Sequence, residues 1–384
     1  MRATLAKGCQ TAPPRSNPQI IKGATVDRPA DLAYRNSMKS PVHILRRLWQ
    51  RGVERRRRAR FTKALRHVHG PVGDTLPQDA ILAIVLVRNG SYYMDAFLAH
   101  YRAMGVTHFA FIDNGSTDDT QARVMAEPDT ILDHCALPLA GYEDLIRQYP
   151  AQTYGRNRWC LYVDMDEVFD FEGRREIGLP GLIRYLEGQG ATALVAQMLE
   201  MFPKAPLSAV ASFSFTQSLE DFAYFDISAV RKYAYHSPDI PFAALLKGNI
   251  VPDPAVQFYF GGVRGKVFGE NCCLTKHPLI YNGPGVSPAP HPHLSVGVTC
   301  AEITGVIKHY KFAGDTAARD AASLGTGDLA HGEDAARAAV LSQRPDVSLF
   351  SLDARRWNRV ELLKRTGFIL GSDRYSDYLA QERA

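Results

Sequence analysis

The stretch WCLYVDMDEVF, Trp159 to Phe169, decides how this chain is expected to fold. Trp159 to Val163 is a short apolar run, of the kind that forms a strand buried on both faces. It ends abruptly in Asp164, Met165, Asp166 and Glu167. Strand alternation puts Asp164 and Asp166 on one side of the chain and Met165 on the other. Three carboxylates at one strand end repel one another and lose hydration unless something positive binds them. Where strands alternate with helices, ligands gather at the carboxyl ends of the strands. A hard divalent cation held by carboxylate oxygens, and able in turn to bind a phosphate, suits such a place.

Upstream, Ala80 to Val87 (AILAIVLV) is a continuous apolar run that leads into Arg88, Asn89 and Gly90. Thr107 to Ile112 (THFAFI) reads as a second strand and runs into DNGSTDDT, Asp113 to Thr120. Helical patterns occupy Tyr92–Met104, Asp118–Met125 and Leu179–Gly188, the last with Pro180 in its first turn, where proline is tolerated. Ala191–Met201 reads as a fourth strand. This β-α-β-α-β order predicts an α/β fold with a largely parallel sheet and helices on both faces. A strand-end aspartate such as Asp113 can hydrogen-bond the paired hydroxyls of a ribose or the edge of a base, and the same residues also suit a plain turn and helix cap. Further on, GGVRGKVFG (Gly261–Gly269) and LTKHPLIY (Leu274–Tyr281) bring Arg264, Lys266, Lys276 and His277 together with glycines that let a ligand approach the backbone. The cations there could hold phosphate. Aromatic residues are dense between Phe213 and Phe260, a composition that suits the floor of a substrate cleft or a mixed core.

Of the 384 residues, 46% are hydrophobic and 22% charged, which excludes a disordered chain, a collagen or a coiled coil. The net charge of +5 is unevenly spread. Residues 1–70 hold seventeen Lys/Arg against Asp27, Asp31 and Glu54, for +14, and the remainder carries −9. Residues 1–75 are therefore expected as a basic, partly disordered arm. Within it, residues 42–69 place apolar side chains at roughly helical spacing among arginines, which predicts an amphipathic helix suited to an anionic membrane surface. No nucleic-acid motif accompanies the basic run, so nucleic acid is not expected as a partner. Gly70–Asp79 reads as a linker, the ordered body as residues 79–312, and residues 313–384 as a helical extension packing on that body. The six cysteines form no C-x-x-C pair, no secretory signal is visible, and the longest aliphatic run falls well short of the about 20 residues that span a bilayer. The expected setting is cytoplasmic, with the chain soluble or peripheral at the inner membrane face.

Taken in order, VRNG, FIDNGSTDDT and WCLYVDMDEVF resemble the family 2-type glycosyltransferases of the GT-A fold, in particular the bacterial branch with a VRN turn, a DNGSTD turn and a D-x-D-E strand end. The likeness covers about residues 80–312. It implies a mixed, mostly parallel central sheet flanked by helices, a nucleotide-diphosphate sugar donor (UDP- or GDP-linked), a glycan or lipid-linked hydroxyl acceptor, and Mn²⁺ or Mg²⁺. Carried over by position, Val87, Arg88 and Asn89 would line the nucleotide pocket and Asp113 would contact base or ribose. Asp164 would sit near the ribose and the metal, as a candidate ligand, and Asp166 would ligate the metal. In VIKHYKF, Val306–Phe312, His309 is the candidate third ligand and Lys311 would lie beside the diphosphate. Arg264 and Lys266 are further candidates for the phosphates. The resemblance implies inversion at the anomeric carbon, with a carboxylate taking the acceptor proton. Glu167, Glu220 and Asp221 are the candidates for that base. The downstream motifs of processive polysaccharide synthases are absent from the sequence. Two other readings stand beside this one. The segment Asp164–Val168 also fits the D-x-D-x-[T/V] signature of haloacid-dehalogenase-type phosphatases, and the fold could serve a non-catalytic protein that binds glycans or membrane surfaces.

Overall fold

The unbroken apolar run at residues 80–87 forms a strand whose six residues, Leu82–Val87, are almost entirely buried. In the computed structural model it lies near the middle of a nine-stranded sheet. Residues 41–326, 333–344 and 346–383 are described; the first part of the expected basic arm, residues 1–40, lies outside them. The chain divides into two units, Met1–Arg56 and Arg57–Ala384. In the first, the described residues belong to helix α1 (Pro41–Ala64), which continues into the second.

The sheet comprises β1 (Arg66–His69), β2 (Leu82–Val87), β3 (His108–Asp113), β4 (Thr130–His134), β5 (Trp159–Tyr162), β6 (Glu167–Asp170), β7 (Ala193–Glu200), β8 (Thr275–Tyr281) and β9 (Cys300–His309). Their order across the sheet is β1-β4-β3-β2-β5-β8-β7-β9-β6. Strands β2, β3, β4, β5, β7 and β9 run one way; β1, β6 and β8 run the other. The architecture is thus α/β with a large mixed, mostly parallel sheet flanked by helices. Alternation along β2 sends Ala83, Val85 and Val87 to one apolar layer and Leu82 and Ile84 to the other. Both faces are therefore covered, as the run without polar interruption requires.

Helix α2 (Met94–Met104) buries Met94, Phe97, Leu98, Tyr101 and Met104, the stripe that a period of 3.6 produces. It stops at Gly105, whose φ of 108° only glycine adopts without strain. A Cβ there would also stand 2.7 Å from Cδ of Pro180. Helices α3 (Thr120–Met125), α4 (Glu143–Thr153) and α5 (Arg174–Gly188) follow. In α5, Gly178 leaves the helical region (φ 56°, ψ −173°), and the helix restarts at Leu179 with Pro180 in its new first turn.

Three expectations about local structure are corrected. The helix expected over residues 42–69 ends at Ala64, and Arg66–His69 becomes an edge strand antiparallel to β4. Pairing there satisfies the outer backbone edge of β4, and the His67 ring adds a 3.1 Å contact to Asp133. Strand β8, antiparallel between β5 and β7, breaks the simple β-α-β order. It carries a register shift between Lys276 and Leu279, at Pro278, which lacks an amide hydrogen for the ladder. Near the C-terminus, the helical extension expected over residues 313–384 is interrupted: Arg355–Arg356 pairs antiparallel with Tyr224–Phe225, and the next helix begins at Val360. The final helix, Asp373–Glu382, buries Tyr375 and Leu379, and Tyr375 packs on Tyr185 of α5 at a 4.8 Å centroid distance.

Candidate functional site

Strands β3, β2 and β5 lie side by side and parallel, with Val87 opposite Asp113 and Ile84 opposite Tyr162. Their carboxyl ends therefore bring VRNG, DNGSTDDT and DMDE to one edge of the sheet. The first two interlock. The Asn114 amide donates to Val87 O at 2.8 Å, the Asn89 amide to Ser116 Oγ at 2.8 Å, and the Thr117 amide to Asn89 Oδ1 at 2.7 Å. Asn89 holds a φ of 54°, a conformation asparagine tolerates better than most residues. Gly90 donates its amide to Thr120 Oγ1 at 2.7 Å. A Cβ at Gly90 would meet Val87 Cγ2 at 2.5 Å and Met165 Cε at 3.3 Å, so this turn presses directly on the DMDE turn.

Asp113 is fully buried. Its carboxylate accepts from the Gly115 amide (3.2 Å), the Ser116 amide (3.1 Å) and Gln121 Nε2 (2.8 Å), and contacts His134 Nδ1 at 2.8 Å. In this arrangement it shapes the turn from within, and the groups facing outward are those it holds in place. Arg88 and Asn89 are exposed beside it, and Val87 is buried.

At the end of β5 the carboxylates meet protein cations. Asp164 Oδ1 accepts from Arg147 Nη1 of α4 at 3.2 Å, and Oδ2 accepts from Lys276 Nζ of β8 at 2.9 Å. Burial alone would raise the Asp164 pKa, but Lys276 and Arg147 outweigh it and hold the carboxyl well below its usual range. Lys276 also bonds Glu167, whose Oε2 accepts from the Asp164 amide at 3.0 Å. Burial, helped by the neighbouring Asp164, pushes the Glu167 pKa up. The Asp164 and Asp166 side chains are 29% and 19% exposed, against 1% for Glu167, so the two aspartates form the accessible surface and Glu167 braces them from behind.

Asp166 Oδ2 lies 3.4 Å from His309 Nε2, and His309 Nδ1 lies 2.7 Å from Glu200 Oε1. Burial works to lower the His309 pKa, but Glu200 and Asp166 overcome it and raise it to about 9, so the ring is an imidazolium at neutral pH. From Glu200 a buried chain of charges continues. Arg264 reaches Glu200 (3.5 Å) and Glu270, Glu270 meets Arg337 (2.9 Å), and Arg337 meets Asp320 (2.7 Å) on helix Thr316–Thr326. Arg264 thus serves this chain of ion pairs. Lys266 bonds Asp226 and Asp353, both at 2.8 Å, and ties the C-terminal segment down. Lys311 lies two residues beyond His309, close enough to help hold the Asp166 pKa down. Glu220 and Asp221 are exposed on helix Phe215–Asp221, and no hydrogen bond or ion pair among the described residues joins them to Asp164 or Asp166. That helix packs through Phe215 on Tyr93 (4.8 Å) and Tyr310 (5.7 Å), beside the strand ends. A cavity of about 210 Å³ opens there, lined in part by His100, Met165, Glu167, Phe215, Lys308 and Tyr310. It is smaller than the roughly 300 Å³ at which ligand pockets begin, and so suits only part of a substrate.

The expected cation ligands were Asp164, Asp166 and His309. Two carboxylates and an imidazole are suitable donors for Mn²⁺ or Mg²⁺. As placed, however, Asp164 gives one oxygen to each of two cations, and His309 has a carboxylate on each nitrogen. Among the described residues no three His, Cys, Asp or Glu side chains converge as metal ligands. In this arrangement all three side chains are engaged with protein groups, Asp166 and His309 with each other.

Compared with known proteins, the chain matches no family model and no curated protein. The site therefore rests on its own geometry.

Arg147 and Glu200 were not singled out from the sequence. Arg147 follows Glu143 by one helical turn, and the pair is joined at 3.0 Å, a spacing visible in the sequence but shared with any solvated helix. Glu200 carried a better signal. It ends the buried run ALVAQMLE just as Asp164 follows WCLYV, and β7 runs in the same direction as β5.

Proposed function

We propose that the chain transfers a sugar from a nucleotide-diphosphate sugar to a hydroxyl acceptor, with inversion at the anomeric carbon, on a core of the GT-A type. The observation that carries this reading is the meeting of three strand ends: two interlocked turns after β2 and β3, and a half-buried aspartate pair after β5. The base and ribose of the donor would lie on the joined turns, against Arg88, Asn89 and the backbone that Asp113 holds. The diphosphate would lie toward β5, beside Lys311, where Arg147 and Lys276 offset the charge of Asp164 and Glu167.

The chemistry follows from charge. As the acceptor oxygen attacks the anomeric carbon, negative charge grows on the departing nucleoside diphosphate. Fixed cations in a partly buried setting stabilise that charge without having to reorganise. Asp164 and Asp166 are already balanced by the protein's own cations, and no step here passes through a divalent ion. The acceptor, a glycan or lipid-linked hydroxyl, must give up a proton. Glu167 is committed to Lys276 and the Asp164 amide, which leaves Glu220 and Asp221 as the exposed candidate bases beside the strand ends.

The test is release of nucleotide from a panel of UDP- and GDP-sugars, with Mn²⁺, with Mg²⁺ and with chelator. At least one donor should be turned over, and Lys276→Met should slow it by about tenfold or more, as expected for losing a bond to a charged group. No turnover of any donor would sink the proposal. Hydrolysis of p-nitrophenyl phosphate that is lost in Asp164→Asn would favour the phosphatase reading instead.

A further inference from the structure

Helix α1 presents a surface that nucleotide-sugar chemistry does not use. Leu45, Leu48, Trp49 and Val53 follow i, i+3, i+4, i+8 spacing and share one stripe. They are 65%, 56%, 69% and 43% exposed, unusual for four large apolar side chains on one helix face. At about 100° per residue, Arg46 falls on one flank of the stripe and Arg51 and Arg55 on the other. Between residues 46 and 60 the sequence has eight arginines and a single acid, Glu54. No helix among the described residues is long and apolar enough to cross a membrane.

We infer that residues 45–55 form an interfacial helix that lies flat on an anionic lipid bilayer. An apolar stripe edged by arginines is the pattern of a helix that sinks its apolar face to the level of the acyl chains. Trp49 suits the headgroup boundary, where an amphipathic ring has one wet and one dry side. The arginine stems lie along the apolar zone while the guanidinium groups reach the phosphates. The stripe distinguishes this occupant from nucleic acid, which would use the arginines and leave Leu45, Leu48 and Val53 in water. The inference stands whether or not the chain transfers sugar.

The test is co-sedimentation of the full chain with vesicles of phosphatidylcholine alone or mixed with phosphatidylglycerol, and Trp emission with brominated acyl chains in the same vesicles. Wild type should bind only the anionic vesicles. Arg46→Gln/Arg51→Gln/Arg55→Gln should weaken binding about a hundredfold, from about fivefold for each charge near the surface. Leu45→Gln/Leu48→Gln should also weaken it, and these exposed residues can change without disturbing the packed body. Brominated lipid should quench wild-type emission and leave Trp49→Phe unquenched, because Trp159 is buried in the body and Trp357 is half-buried there, packed on Phe225. A chain that stays in the supernatant with anionic vesicles at low salt overturns the inference. So does binding that the Leu45→Gln/Leu48→Gln pair leaves unchanged, or Trp49 emission that brominated lipid does not quench.

Discussion

Replacing Lys276 by methionine removes the charge that holds the DMDE turn together while keeping most of the side-chain volume. The Lys276 side chain is 6% exposed and sits between Asp164 and Glu167, so its loss leaves two carboxylates facing each other in a poorly hydrated place. Breaking a buried ion pair on one side costs about 3–5 kcal/mol. That is a large fraction of the roughly 5–15 kcal/mol by which a native protein is stable. The cost depends on pH, and its sign can be worked out. In the wild type, Lys276 and Arg147 depress the Asp164 pKa, so this contribution is fully present above the unfolded value of about 3.9 and is lost as pH falls below it. In Lys276→Met, burial and mutual repulsion push both carboxyl pKa values up, so protonation relieves the variant more than the wild type, in which only Glu167 of the pair lies above its usual range and Asp164 lies below. Urea unfolding of both proteins should therefore show a gap of about 3–5 kcal/mol at neutral pH that narrows by pH 5. A gap under about 1 kcal/mol, the level of an exposed pair, or a gap that does not narrow on acidification, would show that Lys276 does not hold the DMDE turn as a buried cation.

Two further outcomes follow from the same geometry. His309, with its pKa raised to about 9, contributes stability that is fully present below its unfolded value of about 6.5 and is lost as pH rises through 9; the difference is worth on the order of 3 kcal/mol. Thermal melts of wild type and His309→Gln in chelator should thus converge above pH 9, and a gap constant from pH 6 to 10 would contradict the imidazolium assignment. Gly90→Ala would set a methyl 2.5 Å from Val87 Cγ2 and push on Met165; about 1–3 kcal/mol should be lost in urea unfolding, and an unchanged midpoint would show that the two turns are not in tight contact.

The parallel half of the sheet could be read from the sequence because LAIVLV, HFAFID and WCLY carry their burial in their composition. The same holds for the carboxylates, since a charged residue that ends a buried strand has nowhere to go but the sheet edge. Strand β8 could not be read this way. TKHPLIY contains a lysine, a histidine and a proline, and Lys276 is acceptable inside a sheet only because its partner Asp164 arrives from 112 residues away. The edge strand Arg66–His69 was hidden for a similar reason, since only the free side of β4 turns that polar run into a strand. The burial of Asp113 was also out of reach, because an exposed ribose contact and an internal turn former share the same DNGSTD signal. The site's positive charges were the least legible part. Arg264 and Lys266 looked free beside glycines but serve ion pairs with Glu270 and Asp226, whereas Arg147 looked like an ordinary helix-surface residue and sits on Asp164.

On the proposed reading, the joined ends of β2, β3 and β5 form one site for a nucleotide-diphosphate sugar. Calorimetric titration of the full chain with UDP and with GDP, with and without Mn²⁺, tests it most directly. One of the two nucleotides should bind, and both Asn89→Ala, on the interlocked turns, and Lys276→Met, at the carboxylates, should weaken it by about tenfold or more. Failure of both nucleotides to bind, or binding that neither substitution alters, would contradict the account.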